Sequence, residues 1–196
     1  PGQAATVAPS AEGSAFLQHS SGTTGLKKGV EIGWGQLDAQ VDAYAGVLGF
    51  GPQDKVASWL SLYHDMGLVT GWLMPLACGA VIVSIDPFEW VARPQLLFEA
   101  IDTYAATFCW LPNFAFAHLV RTAGEGDRHD LSSVRAFINC SEPCKAETFE
   151  VFLARFAAQG VKNGAQQACY AMAESVFAVS QSPLGRPLRA LEVDAA

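Results

Sequence analysis

A layered α/β fold, with a mostly parallel sheet flanked by helices, is what this sequence predicts, and two observations carry the prediction. Apolar runs of strand length alternate with segments whose apolar residues recur at helical spacing, an alternation that favours parallel strands joined by crossover helices. The chain is also long enough for one sizeable core, with 196 residues of which 51% are hydrophobic and 16% charged.

Residues 1–13 are rich in Ala, Pro, Ser and Gly and read as a linker-like segment, which leaves the domain to residues 14–196. Phe16–His19 reads as a strand and Gly29–Ile32 as the strand that leaves its loop. From Gln36 onward, Leu37, Val41, Tyr44, Ala45 and Leu48 follow helical spacing, and Gly49 and Gly51-Pro52 stop that helix. Lys55–Leu60 is a strand and Ser61–Gly67 a loop. Met66–Ile85 carries no charge over twenty residues, long enough to raise a membrane span. Gly67, Gly71, Pro75 and Gly79, with the β-rich run Ala80–Val83, favour a buried helix followed by a central strand instead.

Phe88–Tyr104 is helical, with Pro94 opening its second part. Thr107–Trp110 is a short strand, Phe114–Thr122 a helix and Gly124–Ser133 a polar loop. Val134–Asn139 is a strand, Lys145–Gln159 an amphipathic helix, and Gln167–Tyr170 the approach to a last loop. The stop at Leu191–Ala196 falls in what reads as continuing structure, so a piece of a larger domain is expected.

The formal net charge is −7, without basic clusters, which argues against nucleic acid or an anionic membrane as partner. A polyphosphate would have to be held locally. The cysteines Cys78, Cys109, Cys140, Cys144 and Cys169 are odd in number and scattered; Cys140 and Cys144 flank Ser-Glu-Pro, but no second Cys/His pair completes a zinc site. They read as buried free thiols in a reducing compartment, hence a cytoplasmic protein. No secretory signal begins the chain.

The stretch with the densest chemistry is His19–Val30. Ser20, Ser21, Gly22, Thr23, Thr24 and Gly25 make neither a good helix nor a good strand, but they suit an anion cradle. Glycine lets backbone N–H groups turn toward a ligand, the hydroxyls can bond phosphate oxygens or magnesium, and Lys28 supplies a point charge. Read on composition alone, the same segment is equally a polar surface loop. It is not a Walker loop, which cannot be laid on Gly22–Val30. The order of residues resembles the phosphate-binding loop of the adenylate-forming ligases, Ser/Thr-Ser-Gly-Ser/Thr-Thr-Gly-x-Pro-Lys-Gly. Ser20 to Gly25, Lys28 and Gly29 match, and Lys27 stands where the family has proline.

Three more stretches follow in family order. Ser61–Leu68, SLYHDMGL, resembles the LPLYHDMGL motif of fatty acyl-AMP ligases, which implies a place for His64 beside the acyl pocket and a capping role for Asp65. Without the resemblance, a core histidine beside an Asp N-cap reads as well, and a relay between the two is disfavoured because neighbours on an extended backbone point apart. Asn139-Cys140-Ser141-Glu142-Pro143 closes a strand where α/β sheets hold ligands, although a capped turn would look similar. It resembles NGAEP, whose backbone passes along adenine; that implies nucleotide contact at Ser141, Glu142 and Pro143. Tyr170-Ala171-Met172-Ala173-Glu174 resembles Tyr-Gly-Met/Leu-Ala/Thr-Glu, which implies that Tyr170 stacks on adenine and that Glu174 ligates magnesium, with Thr24 as a further ligand. Arg93-Pro94 and Pro112–Phe116 also look like the fatty acyl-AMP ligase branch. Trp59, Trp72, Trp110, Phe114 and Phe116 suit either an apolar substrate wall or an ordinary core.

Together the resemblance implies that ATP and Mg2+ are used to activate a carboxylic acid, a fatty acid in this branch, to an acyl-adenylate with release of pyrophosphate, Lys28, His64 and Glu174 being the catalytic candidates. In the family a thiol acceptor, coenzyme A or an acyl carrier protein, then takes the acyl group. The family's downstream ribose-binding aspartate, hinge and small C-terminal domain have no counterpart in this sequence, so a nucleotide- or acyl-adenylate-binding module without turnover stays open. A serine hydrolase using Ser20 or Ser21 with His64 lacks the G-x-S-x-G elbow.

Overall fold

The computed structural model describes residues 13–19, 29–124 and 126–190. The expected linker up to residue 12, the cradle Ser20, Ser21, Gly22, Thr23, Thr24, Gly25 and Lys28, and residues 191–196 lie outside the described residues. Eight described strands form two sheets. A hairpin pairs β1 (Ser14–His19) antiparallel with β2 (Gly29–Gly33), His19 standing opposite Gly29. The main sheet has the order β4-β3-β5-β6-β7-β8, comprising Val81–Ser84, Lys55–Ser58, Phe108–Leu111, Ala136–Asn139, Gln166–Ala171 and Ala178–Gln181. Its first five strands are parallel and β8 returns antiparallel to β7.

Alternation along the central strands feeds two cores. Phe108 and Trp110 of β5 and Ile138 of β6 face a cluster with Leu37, Val41, Tyr44 and Leu48 of α1 (Trp34–Leu48). Cys109, Leu111 and Phe137 face the opposite cluster, under α3 (Pro87–Ala92), α4 (Leu96–Tyr104), α5 (Asn113–Thr122) and α6 (Ala146–Phe156). Both faces are covered, as a parallel sheet requires. The second core is aromatic: Phe152 lies 4.9 to 5.3 Å from Phe156, Phe116 and Phe137 in edge-on contacts, a geometry worth about 1 kcal/mol per pair beyond simple burial.

The helix ends follow local chemistry. Gln36 Oε1 accepts from the Gly33 N–H at 2.7 Å to open α1, and Gly49, at φ 53° and ψ 41°, closes it in the left-handed conformation that glycine takes without strain. Asp86 accepts from the N–H groups of Phe88 and Glu89 and Pro87 supplies the first helical residue of α3. The helical segment expected over Phe88–Tyr104 is two helices, because Arg93 takes a non-helical conformation before Pro94.

Two expectations change. The apolar run from Met66 is helical but begins with a widened turn of π type over Met66–Leu73 before α2 (Met74–Ala77), the Met74 N–H reaching back to the Val69 carbonyl. Thr70 Oγ1 donates to the Met66 carbonyl at 2.6 Å within it. The strand after it, β4, lies at the edge of the sheet rather than at its centre, and Val81 is half exposed there. No helix among the described residues is long and apolar enough to cross a membrane.

Candidate active site

Because β3, β5, β6 and β7 run parallel, the segments that leave them emerge at one end of the sheet. His64 follows β3; Ser141, Glu142 and Pro143 follow β6; Tyr170 ends β7 and Glu174 follows it. The structure therefore brings together every predicted site residue that it describes. Such a carboxyl edge is where open α/β sheets bind ligands.

The turn after β3 is built by close approach. A Cβ on Gly67 would stand 2.2 Å from the Ser61 carbonyl oxygen, so only glycine lets the widened helix start there. Asp65 accepts from the Met66 N–H at 2.7 Å, the capping role expected. It also lies 2.6 Å from His64 Nδ1, contrary to the argument that neighbours point apart. The backbone is not extended at this point; Asp65 sits at φ −50° and ψ −48°, and a helical bend lets adjacent side chains converge. The hydrogen bond to Asp65 raises the His64 pKa, against the opposing effect of burial.

After β6 the chain passes through strain. Ser141 has φ 71°, a left-handed conformation that costs a non-glycine residue on the order of 1 kcal/mol. Its hydroxyl points at Met66 Sδ, 3.6 Å away. Asn139 is fully buried; its amide donates to Asn113 Oδ1 at 2.9 Å, while its own Oδ1 has no partner. Glu142 is exposed, yet its carboxylate accepts from the Phe114 N–H at 2.8 Å and so closes the N-terminus of α5. The Glu142 side chain is thus engaged within the protein.

Tyr170 is 60% exposed at the end of β7. Two positions beyond the last paired residues, Asn139 and Ala168, the register sets it beside Ser141. Glu174 occupies a tight turn, Ala173–Ser175, that continues into a γ-turn at Val176, with φ 67° and the Phe177 N–H donating to the Ser175 carbonyl at 2.8 Å. Two glutamines hold this turn and were not foreseen. Gln18 Nε2 of β1 donates to the Val176 carbonyl at 3.4 Å, and the Gln40 amide of α1 donates to the carbonyls of Ser175 and Ala178 at 2.6 and 3.1 Å. A buried Gln within the apolar run of β1 was the available signal for the first; nothing marked the second.

The five aromatics do not form one wall. Trp59 and Phe116 are buried in the core beneath α3–α6, Trp110 is buried in the core on the other face, and Trp72 and Phe114 are partly exposed. Trp59 stacks on Trp90 at 3.7 Å and Phe114 stands edge-on to both, which makes the core reading the right one for Trp59. Two depressions of about 430 and 540 Å³ lie elsewhere, one lined by Ser132, Arg135 and Lys162, the other by Phe149, Gln166 and Leu188. Among the described residues, the candidate site is an open edge rather than an enclosed cavity.

An exposed ring, an exposed carboxylate and a strained residue stand at the carboxyl end of the parallel sheet of this α/β domain. The chain belongs to the AMP-binding enzyme family, which it matches over residues 2–193. It is 33% identical to a probable long-chain-fatty-acid–AMP ligase of Mycobacterium tuberculosis, over 93% of this chain and 32% of that protein. It is likewise 33% identical to a medium-chain-fatty-acid–acyl-carrier-protein ligase of Moorena producens, over 92% of this chain and 31% of the relative. The fold superimposes with a TM-score of 0.88 and 30% identity on a fatty acyl-adenylate ligase of Legionella pneumophila solved with acyl adenylate and pyrophosphate, over 92% of this chain and 32% of that one. The chain thus spans about a third of the length of these relatives.

Proposed function

We propose that this chain supplies the nucleotide-binding part of an enzyme that activates a fatty acid with ATP, giving acyl-adenylate and pyrophosphate. The observation that carries the reading is the gathering of His64, Ser141–Pro143, Tyr170 and Glu174 at one carboxyl edge, in a fold shared with an acyl-adenylate-bound ligase. In this reading residues 14–196 belong to a large adenylation domain, residues 1–13 lead into it, and the protein works in the cytoplasm. A thiol, on coenzyme A or on an acyl carrier protein, takes the acyl group; the carrier-protein ligase among the relatives favours the latter.

The chemistry is an in-line displacement. A carboxylate oxygen bonds to the α-phosphorus as the bond to the pyrophosphate oxygen breaks, and the protein's task is to position the partners and balance charge. Tyr170 offers its ring face to adenine, and the backbone of Ser141–Pro143 lines the ring edge. The orphaned Asn139 Oδ1 beneath that turn marks an acceptor without a donor. Lys28 would place a positive charge on the phosphates, and His64 would stand on the acyl side.

The residues fit a magnesium ion. Glu174 is exposed and has no ion pair among the described residues, where no group of three ligating side chains gathers to cage a metal unaided. One carboxylate plus substrate phosphates is how Mg2+ is commonly held, so Glu174, with Thr24, would hold it, and the ion when bound neutralises phosphate charge.

The test is carboxylate-dependent exchange of labelled pyrophosphate into ATP by the full-length protein, with fatty acids of graded length. Glu174→Gln is expected to lower exchange roughly a hundredfold while the fold is retained. Exchange at the wild-type rate would remove Glu174 from the metal site. Saturable ATP binding without exchange for any carboxylate would instead establish a binding module.

A further inference from the structure

From the placement of their side chains on adjacent strands, we infer that Cys140 and Cys169 form a reversible disulfide when the protein meets hydrogen peroxide. Asn139 of β6 pairs with Ala168 of β7, so the next residues along each parallel strand, Cys140 and Cys169, are neighbours across the ladder. Adjacent strands lie about 4.8 Å apart, inside the roughly 4.4–6.8 Å that disulfide-linked Cα atoms span. Both side chains enter the same core cluster, one fully buried and the other 6% exposed. The cross-link therefore requires side-chain rotation rather than movement of an element.

The two thiols are unequal. The hydrogen bond from Cys140, and then that from Tyr44, hold the Cys169 thiol below its ordinary pKa, whereas the same contact with Cys169 and burial push Cys140 up. Cys169, the more exposed of the two and the one whose pKa is lowered, is the attacking sulfur. Its thiolate takes an oxygen from the peroxide as the O–O bond breaks and hydroxide leaves, giving a sulfenic acid and, with the displaced proton, water. Cys140 Sγ then bonds to that sulfur, the S–O bond breaks, and hydroxide leaves with the Cys140 proton as a second water. Two thiols are oxidised and one peroxide is reduced to two waters.

Nearby Cys144 is exposed and makes only weak contacts, its Sγ lying 3.6 Å from the Asn139 carbonyl oxygen, so it is the competing partner that the test must separate. The full-length protein would be treated with hydrogen peroxide, denatured, alkylated and mapped by peptide mass spectrometry. The expected result is loss of two alkylatable thiols and a bond joining Cys140 to Cys169, reversed by dithiothreitol, retained in Cys144→Ser and lost in Cys140→Ser and in Cys169→Ser. Thiols that all remain alkylatable would overturn the inference, as would a bond through Cys144. The wild-type mapping decides the matter even if a variant fails to fold, and it does not depend on the adenylation reading.

Discussion

The two ends of the main sheet differ in how their polar side chains are used. At the amino end Asp54, 1% exposed, accepts from both Arg135 Nη1 contacts at 2.7 and 2.9 Å, from the Gly51 N–H at 3.0 Å and from Thr107 Oγ1 at 2.9 Å. Arg135 spends its remaining donors on the carbonyls of Leu48 and Gly49, which closes the end of α1. At the carboxyl end Asn139 Oδ1 lacks a donor, Ser141 and Val176 are held at positive φ, and Tyr170 and Glu174 face outward. Positive φ at Ala105 and an unpartnered Gln166 Oε1 occur at the amino end too, so what separates the two ends is the buried, fully answered Asp54–Arg135 network on one side and the exposed ring and carboxylate on the other.

Substitutions at the two ends should therefore differ in sign. Asp54→Asn removes the charge that Arg135 answers, and urea denaturation should show a loss of about 3 kcal/mol, near the lower bound for breaking a buried pair because Arg135 keeps some access to water. An unchanged midpoint would break the comparison at its strong end. At the carboxyl end Ser141→Gly should raise stability by about 1 kcal/mol, since glycine adopts φ 71° freely and the exposed serine gives up only a weak contact to sulfur. Destabilisation there would mean that the turn is not strained.

The smallest effect concerns His64. Its pKa is raised by Asp65, so the pair's contribution to stability is complete below about pH 6.5, the value in an unfolded chain, and fades as pH rises through the folded value. Exposure of the imidazole keeps that contribution small. Asp65→Asn should lower the His64 titration midpoint followed by ring proton NMR; a midpoint that stays in place would dissolve the pair.

Much of this architecture was legible because periodicity and burial coincide. The helix from Gln36 ends at Gly49 as its apolar spacing and glycines require, and α6 follows the amphipathic run after Lys145 within a residue or two at its start. What escaped had no periodic signal. β8, Ala178–Gln181, is a short strand with exposed Val179 and Ser180, defined by its pairing with β7 rather than by its own composition. The edge position of β4 depends on sheet order, which a run of β-branched residues does not encode. In the candidate site, motif order singled out residues, but not that the Glu142 side chain is taken up by α5 or that His64 and Asp65 touch. Those depend on backbone conformation at single residues.

The two glutamines around Val176 have a mechanical consequence. Among the described residues, β1 and β2 form a sheet of their own, with no backbone ladder to the six-stranded one. Gln18 and Gln40 pin the Ser175–Ala178 backbone to β1 and to α1, one amide from each. The hairpin that flanks residues 20–28 is thereby geared to the turn that carries Glu174. The spacing between the hairpin and that turn is therefore set by these side-chain contacts as well as by each part's own backbone.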